Sequence, residues 1–231
     1  LSTPAMTHVL RALAGCALLV GAAGMQRAEA MPPQSMTGET GEATGPSIAA
    51  VRVADWVAAS NDNHSLPYII VDKTTASLLL FDAAGKSLGQ APVLIGIALG
   101  DDATPGVGSK NLAELGPAEK TTPAGRFLAK FGRPVGKERI LWVDYATSVA
   151  IHPIPTRASK KERRRQRMLS PTPTDNRITF GCINVPVASY GKIRPLFSKK
   201  GGYVYVLPDI KPLEAVFPRL RVRPVTDGTA R

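Results

Sequence analysis

Tyr68–Ile97 reads YIIVDKTTASLLLFDAAGKSLGQAPVLIGI, and the fold class turns on this stretch. Tyr68–Asp72 (YIIVD) and Ala76–Asp82 (ASLLLFD) are runs of β-branched, aliphatic and aromatic residues flanking Lys73-Thr74-Thr75, which reads as two strands and a connection. Ala83–Lys86 makes a turn, and Pro92–Ile97 (PVLIGI) reads as a further strand. Outward from there, Gly125–Phe131, Ile140–Tyr145, Ser148–His152 and Tyr203–Leu207 repeat the pattern. Short strands at close intervals with Gly and Pro turns predict an all-β fold, sandwich or barrel-like, with one or two short helices. The helices are Ser47–Ser60 (SIAAVRVADWVAAS), ended by Asn61-Asp62-Asn63, and Ala188–Phe197 (ASYGKIRPLF), broken at Pro195. Asp101–Leu115 is a long loop, of a length uncommon unless it binds something or covers a site.

The N-terminal segment has a different character. Met6–Arg11 is short and basic, Ala12–Met25 (ALAGCALLVGAAGM) is apolar and rich in small residues, and Ala28-Glu29-Ala30 has the small-x-small form of a cleavage site. That order describes a cleaved secretory signal peptide over residues 1–30, with Met6 as the natural start and export to the periplasm or cell envelope. Leu13-Ala14-Gly15-Cys16 has the form of a lipoprotein signal, but Arg11 stands just ahead of it and the apolar run continues past it. Residues 31–46, rich in Pro, Gly, Thr and Ser, form a flexible linker. The rest divides into a helical lead-in at 47–66, a main domain at 67–208 and a tail at 209–231, expected as a loose strap.

Removing Arg11, Arg27 and Glu29 with the signal lowers the net charge only from +11 to +10. For an exported chain this balance points to an anionic wall or membrane surface. No aromatics interleave the basic run, so no base-stacking platform is present and no nucleic-acid partner is expected. Asp101-Asp102 has no companion cluster of oxygens, so neither a metal nor an organic cofactor is expected. A monomer is the expected state.

Export leaves one cysteine, Cys182, of the two in the chain. A lone thiol in a secreted protein is either buried and inert or reactive. Its setting, Arg177–Val185 (RITFGCINV), favours the reactive form, because a strand ends upstream in Ala150-Ile151-His152. An imidazole near a thiol stabilises the thiolate, the nucleophilic form. Gly181 removes a side chain beside the sulfur, and the N–H groups of Gly181 and Cys182 are natural oxyanion donors.

These residues resemble the L,D-transpeptidase catalytic domain, the YkuD-type domain. Thr179, Gly181, Cys182, Ile183 and Asn184 match its Ser/Thr-x-Gly-Cys-aliphatic-Asn/Arg element, His152 matches its strand-end His, and Thr122–Phe127 (TPAGRF) matches its TPxGxF element. The likeness runs from about Tyr68 to Leu207. It implies a Cys182 nucleophile and a His152 base acting on peptidoglycan stem peptides through a thioester, forming crosslinks between third-position residues. Pro153 has no N–H to donate and a free carbonyl, which is expected to orient the imidazole, and Asn184 is expected to tie down the chain after Cys182. Acyl acceptors other than a stem amine stay open: water, which makes an L,D-carboxypeptidase, or a lysine of an envelope protein. A catalytically weak wall-binding module is the remaining alternative.

Two features depart from the family pattern. Phe180 stands where a second His is usual, either as a wall of the acyl-donor pocket or packed under the Cys turn. A spacer of 29 residues separates His152 from Cys182 and includes the basic run Arg157–Arg167, read either as a solvated excursion or as a cationic flap for carboxylates or anionic glycans. Lesser candidates are Arg177 and Asn176 for a donor carboxylate, Trp142 as a cleft-lining ring, and His64 in a polar turn.

Overall fold

The opening hairpin sets the geometry of the whole sheet. Strands β1 (Tyr68–Asp72) and β2 (Ser77–Phe81) pair antiparallel, with Tyr68 opposite Phe81 and Asp72 opposite Ser77. The turn between them is fixed by Asp72, whose Oδ1 accepts from the Thr74 N–H at 2.9 Å and the Thr74 hydroxyl at 2.7 Å. Both strands are buried on both faces, which is why the sequence runs continuously apolar instead of alternating. Ile69, Val71, Leu78 and Leu80 face one core, while Tyr68, Ile70, Leu79 and Phe81 face a second.

A computed structural model describes residues 45–132, 139–158 and 160–221. The remaining strands are β3 (Ser87–Pro92), β4 (Ile95–Gly96), β5 (Gly125–Phe131), β6 (Leu141–Asp144), β7 (Val149–Pro153), β8 (Arg177–Thr179), β9 (Ile183–Val185) and β10 (Gly202–Val206). Eight of them form one sheet in the order β3-β2-β1-β10-β5-β6-β7-β9, and β4 pairs with β8 separately. The β1–β10 and β7–β9 pairs are parallel. The fold is mainly β, as the sequence indicated.

Helices close the two cores. Helix α1 (Ile48–Ser60) is capped by the Ser47 hydroxyl, which accepts from the Ala50 N–H at 3.1 Å. Its Val53, Trp56 and Val57 cover the second core. Helix α3 (Val187–Phe197) covers the first with Tyr190, Ile193 and Phe197. Two shorter helices are α2 (Arg164–Met168) and α4 (Leu213–Val216). No helix among the described residues is long and apolar enough to cross a membrane.

Several expectations need correcting. Within the expected strand Pro92–Ile97 only Ile95–Gly96 is one, and the longer β3 at 87–92 precedes it. Strand β3 is largely exposed at the sheet edge and carries no apolar alternation, while Val93–Ile95 is a buried run outside that ladder. Strands β8 and β9 have three residues each, too short for a periodic signal. Helix α3 runs through Pro195 to Phe197, so the proline forfeits one i→i−4 hydrogen bond without ending the helix there. The tail is no loose strap through Arg221: Phe217 and Leu220 are buried in the second core, and the Phe217 ring lies 6.1 Å from Tyr205. The signal peptide and nearly all of the linker lie outside the described residues.

Candidate active site

The Cys182 turn leads from β8 into β9, and hydrogen bonds close it from both sides. Buried Thr179 accepts from the Gly181 N–H at 3.2 Å and donates to the Cys182 carbonyl at 2.6 Å. Gly181 has φ +123°, and a Cβ there would stand 2.7 Å from the Thr121 carbonyl oxygen. Glycine is thus required twice over, by conformation and by space. Thr122 donates its hydroxyl to the Gly181 carbonyl at 2.8 Å and accepts from the Gly96 N–H at 2.9 Å. The first residue of TPAGRF therefore braces the cysteine turn. One expectation changes: the Gly181 N–H is committed to Thr179 and is not a spare oxyanion donor.

The Cys182 thiol is partly covered, and Sγ donates to the Ser148 carbonyl at 3.6 Å. Burial pushes its pKa above the ordinary thiol value, and the Ala150 N–H and the Arg164 charge pull it back only in part. That direction favours the thiol over the thiolate that the sequence suggested. Ser148 is itself held, its hydroxyl donating to the Gly108 carbonyl at 3.2 Å. A Cβ on Gly108 would fall 2.2 Å from the Ala146 carbonyl oxygen, so the 101–115 loop lies directly on the turn that carries the thiol's acceptor.

His152 stands on the neighbouring strand. Parallel register sets His152 beside Asn184 and Ile151 beside Ile183. Ile151, Ile183 and Val185 point into the first core, so strand alternation turns His152 and Asn184 to the opposite face. The His152 Nδ1 lies 2.7 Å from the Pro153 carbonyl oxygen. A carbonyl only accepts, so Nδ1 carries the hydrogen and Nε2 is left as the basic nitrogen. The Asn184 Nδ2 sits 3.4 Å from Nε2 and 3.5 Å from Nδ1, nearly equidistant from both ring nitrogens.

The basic insertion reaches this pair. The Arg164 guanidinium donates through Nη1 to the Asn184 Oδ1 at 2.9 Å and through Nε to the Glu162 carboxylate at 2.8 Å. Asn184 is fully buried, and the Arg164 side chain is 11% exposed. Arg167 binds the Glu162 carbonyl at 3.0 Å and the Asp175 carbonyl at 3.1 Å. The insertion touches the site through Arg164, while Arg157, Lys160, Lys161, Arg163 and Arg165 stay exposed to solvent.

Other candidates fall elsewhere. Arg177 donates to the Asp209 carboxylate at 2.6 Å and to the Ala98 carbonyl at 3.3 Å, with 10% of its side chain exposed. It is a structural anchor and is not placed for a donor carboxylate. Asn176 is buried on the Val93 carbonyl at 2.8 Å and is corrected in the same way. Trp142 pairs in register with Ala150, which puts it on the His152 face, where its ring stacks on Tyr145 at 4.7 Å. Phe180 is not packed beneath the turn; its ring is on the surface with the Lys120 ammonium 4.2 Å from its centroid. His64 lies beside Tyr203 at 5.6 Å. Asp101 accepts three backbone N–H groups from residues 209–211 and an ion pair from buried Lys73 at 3.0 Å. No metal-holding group of His, Cys, Asp or Glu occurs among the described residues.

Three contributors escaped the sequence. Ser148 acts through its carbonyl, which no side-chain pattern marks. Thr122 belongs to a motif already singled out, but only the fold shows which turn it braces. Arg164 was hidden among seven basic residues, and its separation of 20 residues from Asn184 gave no signal.

No protein-family model and no curated protein matches the chain. Among solved structures it is similar to an L,D-transpeptidase from Xylanimonas cellulosilytica DSM 15894, at 15% identity over 61% of this chain and 60% of that one, with a TM-score of 0.40. It is also similar to an L,D-transpeptidase from Mycobacterium smegmatis at 14% identity, over 61% and 58%, with a TM-score of 0.37. A third likeness is to the helical cell shape determining protein Pgp2 from Campylobacter jejuni, at 14% identity over 72% and 58%, with a TM-score of 0.43. The chain thus matches 60% or less of the length of each of these structures.

Proposed function

We propose that the chain is a cysteine acyltransferase of the L,D-transpeptidase kind, acting on peptidoglycan stem peptides in the cell envelope. The observation that carries the reading is the pairing of β7 with β9. It sets His152, with Nδ1 already engaged by Pro153, on the strand adjoining the Cys182 turn.

In this mechanism Cys182 rests as a thiol. Substrate entry displaces the weak 3.6 Å bond to the Ser148 carbonyl. The proton passes from Sγ to His152 Nε2 as the sulfur attacks the carbonyl of the third stem residue. The Cys182 N–H is the remaining nearby donor for the oxyanion, since the Gly181 N–H is engaged by Thr179. The C–N bond to the terminal D-Ala then breaks, its amine takes the proton from His152, and a thioester remains on Cys182. An amine of a second stem attacks that thioester, His152 accepts its proton, and the thiol is restored. Pro153 fixes the tautomer, Asn184 lies against the imidazole, and Arg164 acts on it through Asn184.

Incubation with purified tetrapeptide muropeptides, followed by mass spectrometry of the products, tests the reading. Loss of D-Ala with dimer formation is expected. Loss without dimers assigns water as the acceptor. No change, combined with no covalent carbapenem adduct, overturns the enzyme and leaves a wall-binding module.

A further inference from the structure

The insertion builds a second feature that acyl transfer does not use. Between residues 153–158 and 160–166 on one side and α3 on the other lies an open cleft of about 1000 Å³. Six cations line it: Arg139, Lys160, Arg163, Arg164, Arg165 and Arg194. No carboxylate lines it among the described residues. Glu162, adjacent in sequence, is occupied by Arg164. Ile154, Val187 and Tyr190 contribute apolar lining. The cleft adjoins the candidate site at two points, Pro153, which holds His152, and Arg164, which holds Asn184.

Like charges gathered around one cleft repel one another, so the arrangement favours an anionic occupant. Five of the six are arginines, whose planar fork matches an oxyanion bidentately. The lining selects among anions. Tyr190 is its sole aromatic among the described residues; it is 7% exposed and its hydroxyl is bound to the Arg139 carbonyl at 2.8 Å, so no ring face is offered to a base. A concave cleft also does not present a flat cationic face to a membrane. Apolar walls beneath spaced cations suit a chain that alternates carboxylates with methyl or methylene groups.

We propose that this cleft binds an extended peptide bearing two or more carboxylates. The proposal goes beyond the acyl-transfer reading and does not require it, because oligocarboxylate binding is independent of what Cys182 does.

The test uses the full chain and a rhodamine-labelled hexapeptide of alternating alanine and glutamate, with the alanine–glutamine peptide as control, read by fluorescence anisotropy at low salt. The glutamate peptide is expected to bind at least about tenfold more tightly than its amide counterpart. Joint substitution Arg163→Glu and Arg165→Glu, both at exposed positions, is expected to weaken that binding by about tenfold or more. Joint substitution Lys199→Glu and Lys200→Glu makes the same net charge change on exposed residues outside the cleft and is expected to leave it unchanged. Equal binding of the two peptides overturns the proposal. So does equal weakening by the two double variants, which would mean general charge attraction. Binding of inorganic tripolyphosphate more than about tenfold tighter than the peptide would make the cleft a phosphate site and overturn it too. Carbapenem acylation of Cys182, followed on the same samples by mass spectrometry, reports on acyl transfer separately.

Discussion

Replacing Arg164 with Met removes one charge and one fork from the site while keeping much of the side-chain volume. The lost Nη1 bond to Asn184, 2.9 Å long, is a hydrogen bond to a charged donor, a class worth about 1.5–3 kcal/mol. Its loss leaves the Asn184 Oδ1 unpaired in a fully buried residue and frees the amide that lies 3.4 Å from His152 Nε2. A stability loss in that range follows, visible as a lower urea midpoint. The second consequence is electrostatic. Arg164 lowers the Cys182 pKa against the upward push of burial, so its removal lets that pKa rise further. If about 1.4 kcal/mol of the lost stabilisation is felt by the developing sulfur anion, kcat/KM falls about tenfold. The assay is the pH dependence of iodoacetamide alkylation, read by mass spectrometry on the peptide that contains Cys182. The inflection is expected to move to higher pH in Arg164→Met and to return most of the way in Arg164→Lys, which restores the charge but not the fork. An unchanged inflection and an unchanged kcat/KM in folded Arg164→Met would refute the coupling.

Gly181→Ala places a Cβ 2.7 Å from the Thr121 carbonyl oxygen at φ +123°, so it is expected to cost at least about 1–3 kcal/mol and abolish acylation; a stable, active variant would show that the turn is not held as described. Thr122→Val keeps the shape but deprives the Gly181 carbonyl of its donor and the Gly96 N–H of its acceptor, with an expected loss of about 1–3 kcal/mol in urea unfolding; a loss within error would mean the brace contributes nothing. Burial raises the Asp101 pKa, but the three N–H groups from 209–211 and Lys73 outweigh it and hold the group at about 2, against an ordinary 3.8. The unfolded chain therefore takes up this proton first as pH falls. About 2 kcal/mol of stability is present above about pH 4 and is lost toward pH 2. Asp101→Asn is expected to flatten that part of the urea-midpoint profile, and an identical acid dependence in both proteins would contradict it.

The parts legible in the sequence share a cause, and so do the parts that were not. The β1–β2 hairpin was readable because two cores demand apolar residues on both faces of 68–72 and 77–81. Strand β3 was not, because an exposed edge imposes no such demand on 87–92. Cys182, Gly181 and Thr179 lie within four residues of one another, so a local motif reported them together. What the motif left out is which groups the turn leans on. Thr122 is 59 residues from Gly181 and Arg164 is 20 from Asn184, and both contacts depend on chain closure. Arg177 misled for the converse reason. Its nearness in sequence to Cys182 suggested substrate, but strand β8 carries it to Asp209, 32 residues away.

The central claim is that the Cys182 sulfur carries the acyl group. Intact-mass and peptide-level spectrometry of the chain after brief incubation with a carbapenem or a tetrapeptide muropeptide measures it directly. The expected result is a single adduct on the peptide holding Cys182, absent from Cys182→Ala and formed far more slowly in His152→Ala. An adduct on any other residue, or an undiminished adduct in Cys182→Ala, would contradict it.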